Sequence, residues 1–413
     1  MKIKSLLSIA FAVLCVAPAM AQSKTVTTTA AGTLATSLTE EEKGSVKELV
    51  ISGPINKSDF NFINTLATLE TLDIKAVTIA EETIEGKTYP ADELPEKAFE
   101  SNKTLKKLVL PASIVTAAKE AITGCSIVDI DFTSCKKLKT IAENAFYSNG
   151  LMTSINLSGL TVLETIEANA FNTSCSDSGV AELVIDLTGC SSLKTIGDYA
   201  FNNKKNISST VVKFNGCTSL TKIGASAFQN VSVKDMDLSE CAALESIEKK
   251  SFMVAASSKS KMTALKLPAN LKKIDEQAFN NQKLTSVSIL AVTPPTLATN
   301  KPFYPSAMTT ATLTVPKGAK AAYEANEEWK KFGTIVESDG SSVNEFEAAK
   351  TIIWGADNTV YVKNAEAGTV VNVYDLTGAV VASGVADGEL ALQVATKGVY
   401  IVKAGKTVAK VRL

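Results

Sequence analysis

Leu183-Val184-Ile185-Asp186-Leu187-Thr188-Gly189-Cys190-Ser191-Ser192-Leu193-Lys194-Thr195-Ile196-Gly197-Asp198-Tyr199-Ala200-Phe201 is one full statement of a phrase that the chain repeats. An alternating apolar run comes first, then a turn with Cys, then Leu-x-x-Ile, then a small residue and Phe. The same ending recurs as Leu138…Ile141…Phe146, Leu163…Ile166…Phe171, Leu220…Ile223…Phe228, Leu244…Ile247…Phe252 and Leu271…Ile274…Phe279. From Phe146 to Phe279 the aromatic returns after 25, 30, 27, 24 and 27 residues. Upstream, Phe99 lies 47 residues before Phe146, and Ile122 divides that gap, so a degenerate copy ends at Ile122. A period in the twenties is the signature of a solenoid. Each unit is too short to bury its own apolar face, and stacked units share one core.

Inside each unit the alternation predicts a strand. The expected strands are 107–110, 128–132, 154–157, 183–187, 211–214, 234–238, 264–267 and 286–289. The last residue of each, and the one two before it, point inward by the period of two. Each strand pairs in parallel with its counterpart in the next unit, about 4.8 Å away, so eight make a ribbon roughly 35–40 Å long. The outward positions form two columns. One is Val109, Asp131, Asn156, Asp186, Lys213, Asp237, Lys266 and Ser288; the other is Lys107, Asp129, Ser154, Val184, Val211, Asp235, Ala264 and Ser286. The candidate ligand-binding face is the polar part of these columns: Asp129, Asp131, Asn156, Asp186, Asp235 and Asp237. Such a face suits a basic protein patch, a glycan or Ca²⁺. It is equally read as a solvated surface that discourages aggregation, because exposed charges contribute little singly and Lys213 and Lys266 interrupt the acidic column.

The composition narrows the chemistry. The 413 residues carry a net charge of −1, 45% hydrophobic residues and no His. Without His the commonest general base and metal ligand is missing. Arg412 is the only Arg, which argues against recognition of guanine edges or phosphates. No Gly-rich phosphate loop is present, and no carboxylate pair sits in a pocket-forming context. The sequence therefore points away from an enzyme, a nucleic-acid partner, a cofactor or a resident metal.

Residues 1–21 read as a secretory signal. Lys2 and Lys4 precede a short apolar stretch, and Ala19-Met20-Ala21 gives a small-x-small cleavage pattern, with the cut between Ala21 and Gln22. No other segment is long and apolar enough to span a membrane. The Thr- and Ala-rich segment 23–39 reads as loose. Next come a strand at 46–51, a helix near 58–66 capped by Ser58 or Asp59, and a first repeat strand at 69–74. Together 40–80 form the capping unit that an open solenoid end requires. The stretch Thr78–Pro90 fits no repeat and reads as a loop.

Six Cys remain after the signal. Cys135, Cys190, Cys217 and Cys241 share one place in the repeat, and Leu160 takes it in the intervening copy. An apolar substitute, no His and no C-x-x-C pair favour a column of small buried side chains over metal ligands or disulfides. Cys125 and Cys175 fall elsewhere, and the sequence alone neither pairs them nor forbids it.

The phrase Leu-x-x-Ile-x-x-x-Ala-Phe after a strand and a Cys turn resembles the BspA-like leucine-rich repeats of bacterial surface proteins, over about residues 46–337. The resemblance implies a leucine-rich-repeat solenoid, a parallel β-ribbon with short helical or irregular returns. It also implies adhesion to host or bacterial surface molecules, without a residue motif to transfer. The region from Pro294-Pro295 through Tyr323, Trp329 and Phe332 to Ile335-Val336 looks like the closing unit of that family.

Beyond the polar linker Glu337–Ser342 the texture changes. Short β-type runs at 351–354, 359–363, 369–374, 380–382, 389–394, 399–403 and 406–411 suggest a small antiparallel β-sandwich. Val373-Tyr374-Asp375-Leu376-Thr377-Gly378, Lys397-Gly398-Val399-Tyr400-Ile401-Val402-Lys403 and the terminal Lys410-Val411-Arg412-Leu413 resemble the C-terminal sorting domain of type IX secretion. That implies passage across the outer membrane of a Gram-negative bacterium by a secretion machinery. An ordinary terminal sandwich is the alternative. The expected plan is thus a signal at 1–21, an N-terminal segment and cap at 22–80, repeats at 81–293, a closing unit at 294–337, and linker plus sandwich at 338–413. The expected role is non-catalytic binding of a surface protein or glycan, against a structural envelope scaffold without a specific ligand.

Overall fold

The computed structural model describes residues 22–203, 209–255, 260–280, 282–299, 301–338, 352–356, 358–396, 398–405 and 407–413. The signal-type stretch with Ala21, most of the linker (339–351), Lys397 and Lys406 lie outside them. Contacts divide the chain into two units, 1–337 and 338–413.

The first unit is a three-sided coil. Its first side is a row of parallel strands from Gln22–Thr27, Val46–Ile55 and Thr71–Ile79 through Leu183–Asp186 to Thr312–Val315 and Thr334–Glu337. All eight expected strands are in it, each within a residue or two of its expected ends. The alternation decides which side chains enter the core. Ile155 and Leu157, Ile185 and Leu187, Met236 and Leu238 all point inward and are buried. Between Asp129–Asp131 and Ser154–Asn156 the ladder thins to the bond from Thr153 N–H to Val128 O, 3.1 Å. Between Thr210–Lys213 and Asp235–Asp237 it thins to one bridge, Thr210 to Val233.

The returns are short and mostly turns and irregular chain, as expected, and each also adds two residues to a second parallel sheet of nine strands, from Glu93–Leu94 through Thr140–Ile141 and Thr195–Ile196 to Thr296–Leu297. The Ile of each Leu-x-x-Ile supplies the inward residue. The third side is a corner ladder in which the N–H of each ring residue donates to the next coil: Phe146 to Ala170 O at 2.8 Å, Phe171 to Ala200 O at 2.7 Å, Phe201 to Ala227 O at 2.7 Å. Ile122 makes the same bond to Ala145 O, 2.7 Å, and is fully buried, so it occupies the slot of the ring.

The rings form a column. Phe146, Phe171, Phe201, Phe228, Phe252, Phe279 and Phe303 stack with successive centroids 4.9–5.4 Å apart and planes within 12°. Offset stacking of this kind adds about 0.5–1.5 kcal/mol per pair beyond burial. Two residues before each ring position the backbone turns left-handed. Lys97, Glu120, Asn144, Asn169, Tyr199, Ser226, Lys250, Gln277 and Lys301 have φ between 48 and 58°.

Both ends of the coil are covered. Residues 23–39 are not loose: Gln22–Thr27 adds an edge strand, and Val26, Leu34 and Leu38 are buried. Gly53 has φ +89°, and a Cβ there would lie 2.2 Å from Thr28 O, so this crossing admits only glycine. The helix Lys57–Ile63 is capped by Asn56, with Asp59 returning the bond as a capping box, rather than by Ser58 or Asp59. Ser58 instead donates to Glu82, and 78–90 contains a hairpin, Glu82–Ile84 with Lys87–Tyr89. At the far end Tyr323 Oη donates to Ala291 O (2.8 Å) and Trp329 Nε1 to Pro295 O (2.7 Å). Trp329 and Phe332 meet the last ring, Phe303, edge-on at 5.9 and 5.6 Å.

The second unit is a small antiparallel β domain of five strands: Ile352–Ala356, Thr359–Tyr374, Val380–Gln393, Val399–Ala404 and Thr407–Arg412. Two pairs of expected strands merge into long ones, because bulges at 363–369 bend the strand without ending it. The bend turns the sheet onto itself: Leu390 and Leu392 come against Gly384 of the same strand. Val360, Val362, Val371, Val373, Tyr400 and Val402 fill the space between the layers. The Tyr-Asp-Leu-Thr-Gly stretch is the hairpin between the long strands. Asp375 Oδ1 accepts from Thr377 N–H, Thr377 Oγ1 and Ala379 N–H at 2.8, 2.6 and 3.0 Å, and Gly378 takes φ +88°.

Candidate functional site

Asp129, Asp131, Asn156, Asp186, Asp235 and Asp237 all lie on the outward face of the first strand row. They share a face but not a cluster. Asp131 and Asp186 are two strands apart with Asn156 between them, and Asp186 and Asp237 are two strands apart with Lys213 between them. Two strand spacings amount to about 10 Å.

One column has a second occupation. Asp131, Asn156, Asp186 and Asp237 each accept the backbone N–H two residues on, from Thr133 (2.7 Å), Ser158 (3.0 Å), Thr188 (2.9 Å) and Ser239 (2.9 Å). These are Asx turns, which steer the chain off the strand into the Cys turn. The sequence carries the signal as Asp/Asn-x-Ser/Thr after four strands, a pattern that strand alternation alone does not reveal. Two of the carboxylates also meet the next coil: Lys213 Nζ lies 2.8 Å from Asp186 Oδ2, and Lys266 Nζ lies 3.2 Å from Asp237 Oδ2. Partial burial alone would raise the Asp186 carboxyl, but Lys213 and the Thr188 donors outweigh it and hold it below the usual carboxylate value. At Asp131 burial is likewise outweighed by the Thr133 donors.

The other column holds Asp129 and Asp235, both exposed. Thr263 Oγ1 reaches Asp235 Oδ1 at 3.3 Å. Asp129 pairs in register with Lys107, and Asp235 with Ala264. Among the described residues no group of three or more Cys, Asp or Glu is placed to hold a metal ion. The column of Cys135, Cys190, Cys217 and Cys241 is fully buried, and Cys190 and Cys217 Sγ donate to Leu157 O and Leu187 O, both at 3.2 Å. Cys125 and Cys175 are free thiols too. Burial pushes Cys190 up to about 11, and Cys135 and Cys241 up to about 12.

A search of protein families matches residues 73–181 and 182–294 to the BspA type leucine-rich repeat region, in six copies. That is more than half of the chain. The chain belongs to the BspA-type leucine-rich repeat family. Among solved structures, the BspA-type chain is similar to the pneumococcal vaccine antigen PcpA, at 15% identity over 73% of this chain and 82% of that one, TM-score 0.30. It is similar to a leucine-rich repeat protein from Bacteroides ovatus, at 18% identity over 71% and 84%, TM-score 0.29. A leucine-rich cell surface protein from Faecalibacterium prausnitzii matches at 17% identity over 59% and 73%, TM-score 0.21. No curated protein matches the chain. No helix among the described residues is long and apolar enough to cross a membrane.

Proposed function

We propose that this BspA-type protein is exported, non-catalytic, and binds a surface protein or glycan of a host or another bacterium through the outward face of its first strand row. One observation carries the reading. Along that face the side chains change chemistry from coil to coil, as Lys107, Asp129, Ser154, Val184, Val211, Asp235 and Ala264, while the inward neighbours stay apolar. Packing fixes the inward set; the outward set is free to follow a ligand. Replacing Asp129, Asp131, Asp186, Asp235 and Asp237 together by Asn removes the charge. Asn accepts the same turn bond, as Asn156 already does. Binding of the mature chain to arrays of surface proteins and glycans then falls at least tenfold on this reading, with the melting curve little changed. Equal binding by both forms would sink it. The rival, an envelope scaffold without a specific ligand, draws on the Lys213–Asp186 and Lys266–Asp237 pairs, which use outward charges to join coils.

On the same reading residues 1–21 direct export, and the C-terminal unit, with its Tyr374–Gly378 hairpin and Gly398–Lys403 strand, is a sorting domain for type IX secretion. The protein then resides on the outer surface of a Gram-negative cell. Deleting residues 343–413 tests this: the truncated chain should resist protease added to intact cells, and unchanged cleavage at the surface would count against the sorting role.

A further inference from the structure

In the second unit the strand Val380–Gln393 pairs only with Thr359–Tyr374, so its first half has one open edge among the described strands. Proteins usually protect such edges with charge or proline. Of the other edges of this unit, Thr407–Arg412 carries Lys410 and the second half of the long strand carries Glu389, while Ile352–Ala356 also lacks charge and proline but is only five residues long. Val380-Val381-Ala382-Ser383-Gly384-Val385-Ala386 has neither charge nor proline. The inward residues of this stretch are small, and Ala386 is fully buried. Its outward side presents Val381 at 43% exposure and Val385 at 62%. Val385 is directly paired with Val370, itself 54% exposed, so the apolar row continues across the sheet.

We propose that this edge joins a second copy of the chain, antiparallel and about a two-fold axis through Ser383. The stretch is self-complementary. In that register Val381 of each copy lies opposite Val385 of the other, Ser383 meets Ser383, and no like charges are opposed. The row then runs Val370, Val385, and Val381 of the second copy. The chain's net charge of −1 offers no long-range repulsion between copies. A seven-residue pairing is smaller than a standard stable interface, so the dimer forms at high local concentration, as on a crowded surface.

The two-fold register makes a sharp demand. Opposed Cα atoms in an antiparallel pair lie about 4.5–5.5 Å apart, within disulfide reach. The mature chain carrying Ser383→Cys should therefore form a disulfide-linked dimer under mild oxidation. The described native cysteines are all buried and do not compete. Val408→Cys, also exposed but on a different edge strand, should stay monomeric. In sedimentation, Val381→Lys with Val385→Lys should raise the dimer dissociation constant by about tenfold or more through opposed charges. Val408→Lys should leave it unchanged. A chain that stays monomeric at several hundred micromolar, cross-linking at Val408→Cys as fast as at Ser383→Cys, or equal loss with Val408→Lys would each overturn the proposal. The cross-link needs only one exposed hydroxyl exchanged for a thiol, so it stands even if the double lysine variant fails to fold.

Discussion

At the scale of single residues, the thiols give the plainest expectations. Each described Cys is buried and free, and a buried thiol is unreactive. The folded mature chain should leave its cysteines unlabelled by a thiol reagent, and all six should react once denatured. Fast labelling of any one without unfolding would refute its placement. The same burial sets a pH dependence. The folded thiols titrate at about 11 to 12 for Cys125, Cys135, Cys175, Cys190 and Cys241, against 9.0 ordinarily. An acid whose folded value is raised is favoured in its neutral form. Its contribution is fully present below pH 9 and is lost as pH climbs from 9 towards 12, because the unfolded chain ionises first. Each thiol should cost at most about 1.4 kcal/mol per pH unit in that window. Urea midpoints measured from pH 8 to 10.5 should fall, and Cys190→Ala should lessen the slope while lowering the pH 8 value.

At the scale of elements, the corner turn is the informative piece. Nine ring-position turns hold a non-glycine residue at positive φ, a conformation costing on the order of 1–3 kcal/mol each. The surrounding three ladders enforce it. Asn tolerates this region best among such residues, and Asn144 and Asn169 already hold it. Tyr199, bulky and largely exposed, does not suit it. Tyr199→Asn should therefore stabilise the coil by about 0.5–1 kcal/mol, read as a higher urea midpoint; a lower midpoint would show that the Tyr ring contributes packing. Phe201→Ala, in the middle of the ring column, should cost about 3–5 kcal/mol. The elements also show what the sequence could disclose. The strand row, its inward set, the ring column and the Ile122 slot were legible, because each rests on a pattern repeated several times. The second sheet was not: its strands are two residues long, below the reach of any periodicity. The edge strand at 22–27 was hidden by Thr, which serves strand and loop alike. The long C-terminal strands read as pairs because a bulge and a turn look alike in sequence. At the candidate site the shared face was legible from alternation. The turn-forming duty of Asp131, Asp186 and Asp237 is not legible from alternation, which gives a side chain's direction but not its bond to the N–H two residues on.

At the scale of the whole molecule, the first unit is a quasi-one-dimensional stack whose stability is a sum of neighbour contacts. Its ends then matter more than its length. Trp329→Ala would open the far end, removing a fully buried ring that touches Phe303, Tyr323 and Phe332. The expected loss is about 3–5 kcal/mol, concentrated in the last coils. Hydrogen exchange should show amides of Ser286–Ile289 and Thr312–Val315 losing protection while Leu183–Asp186 keeps it. Uniform loss along the stack would mean that the coil unfolds as a single cooperative body.

The ion pairs between coils have a hereditary consequence. The ring slot and the aliphatic slots are interchangeable from one coil to the next, so unequal recombination could add or drop a coil without disturbing the interior. Lys119 with Glu143 and Lys249 with Glu276 join one slot in neighbouring coils, and Lys194 with Glu164 and Lys272 with Glu245 join another. A coil inserted within a pair would part a Lys from its Glu, whereas one inserted between pairs would leave every partner in place. Insertion between pairs is therefore the less costly way for such a stack to grow.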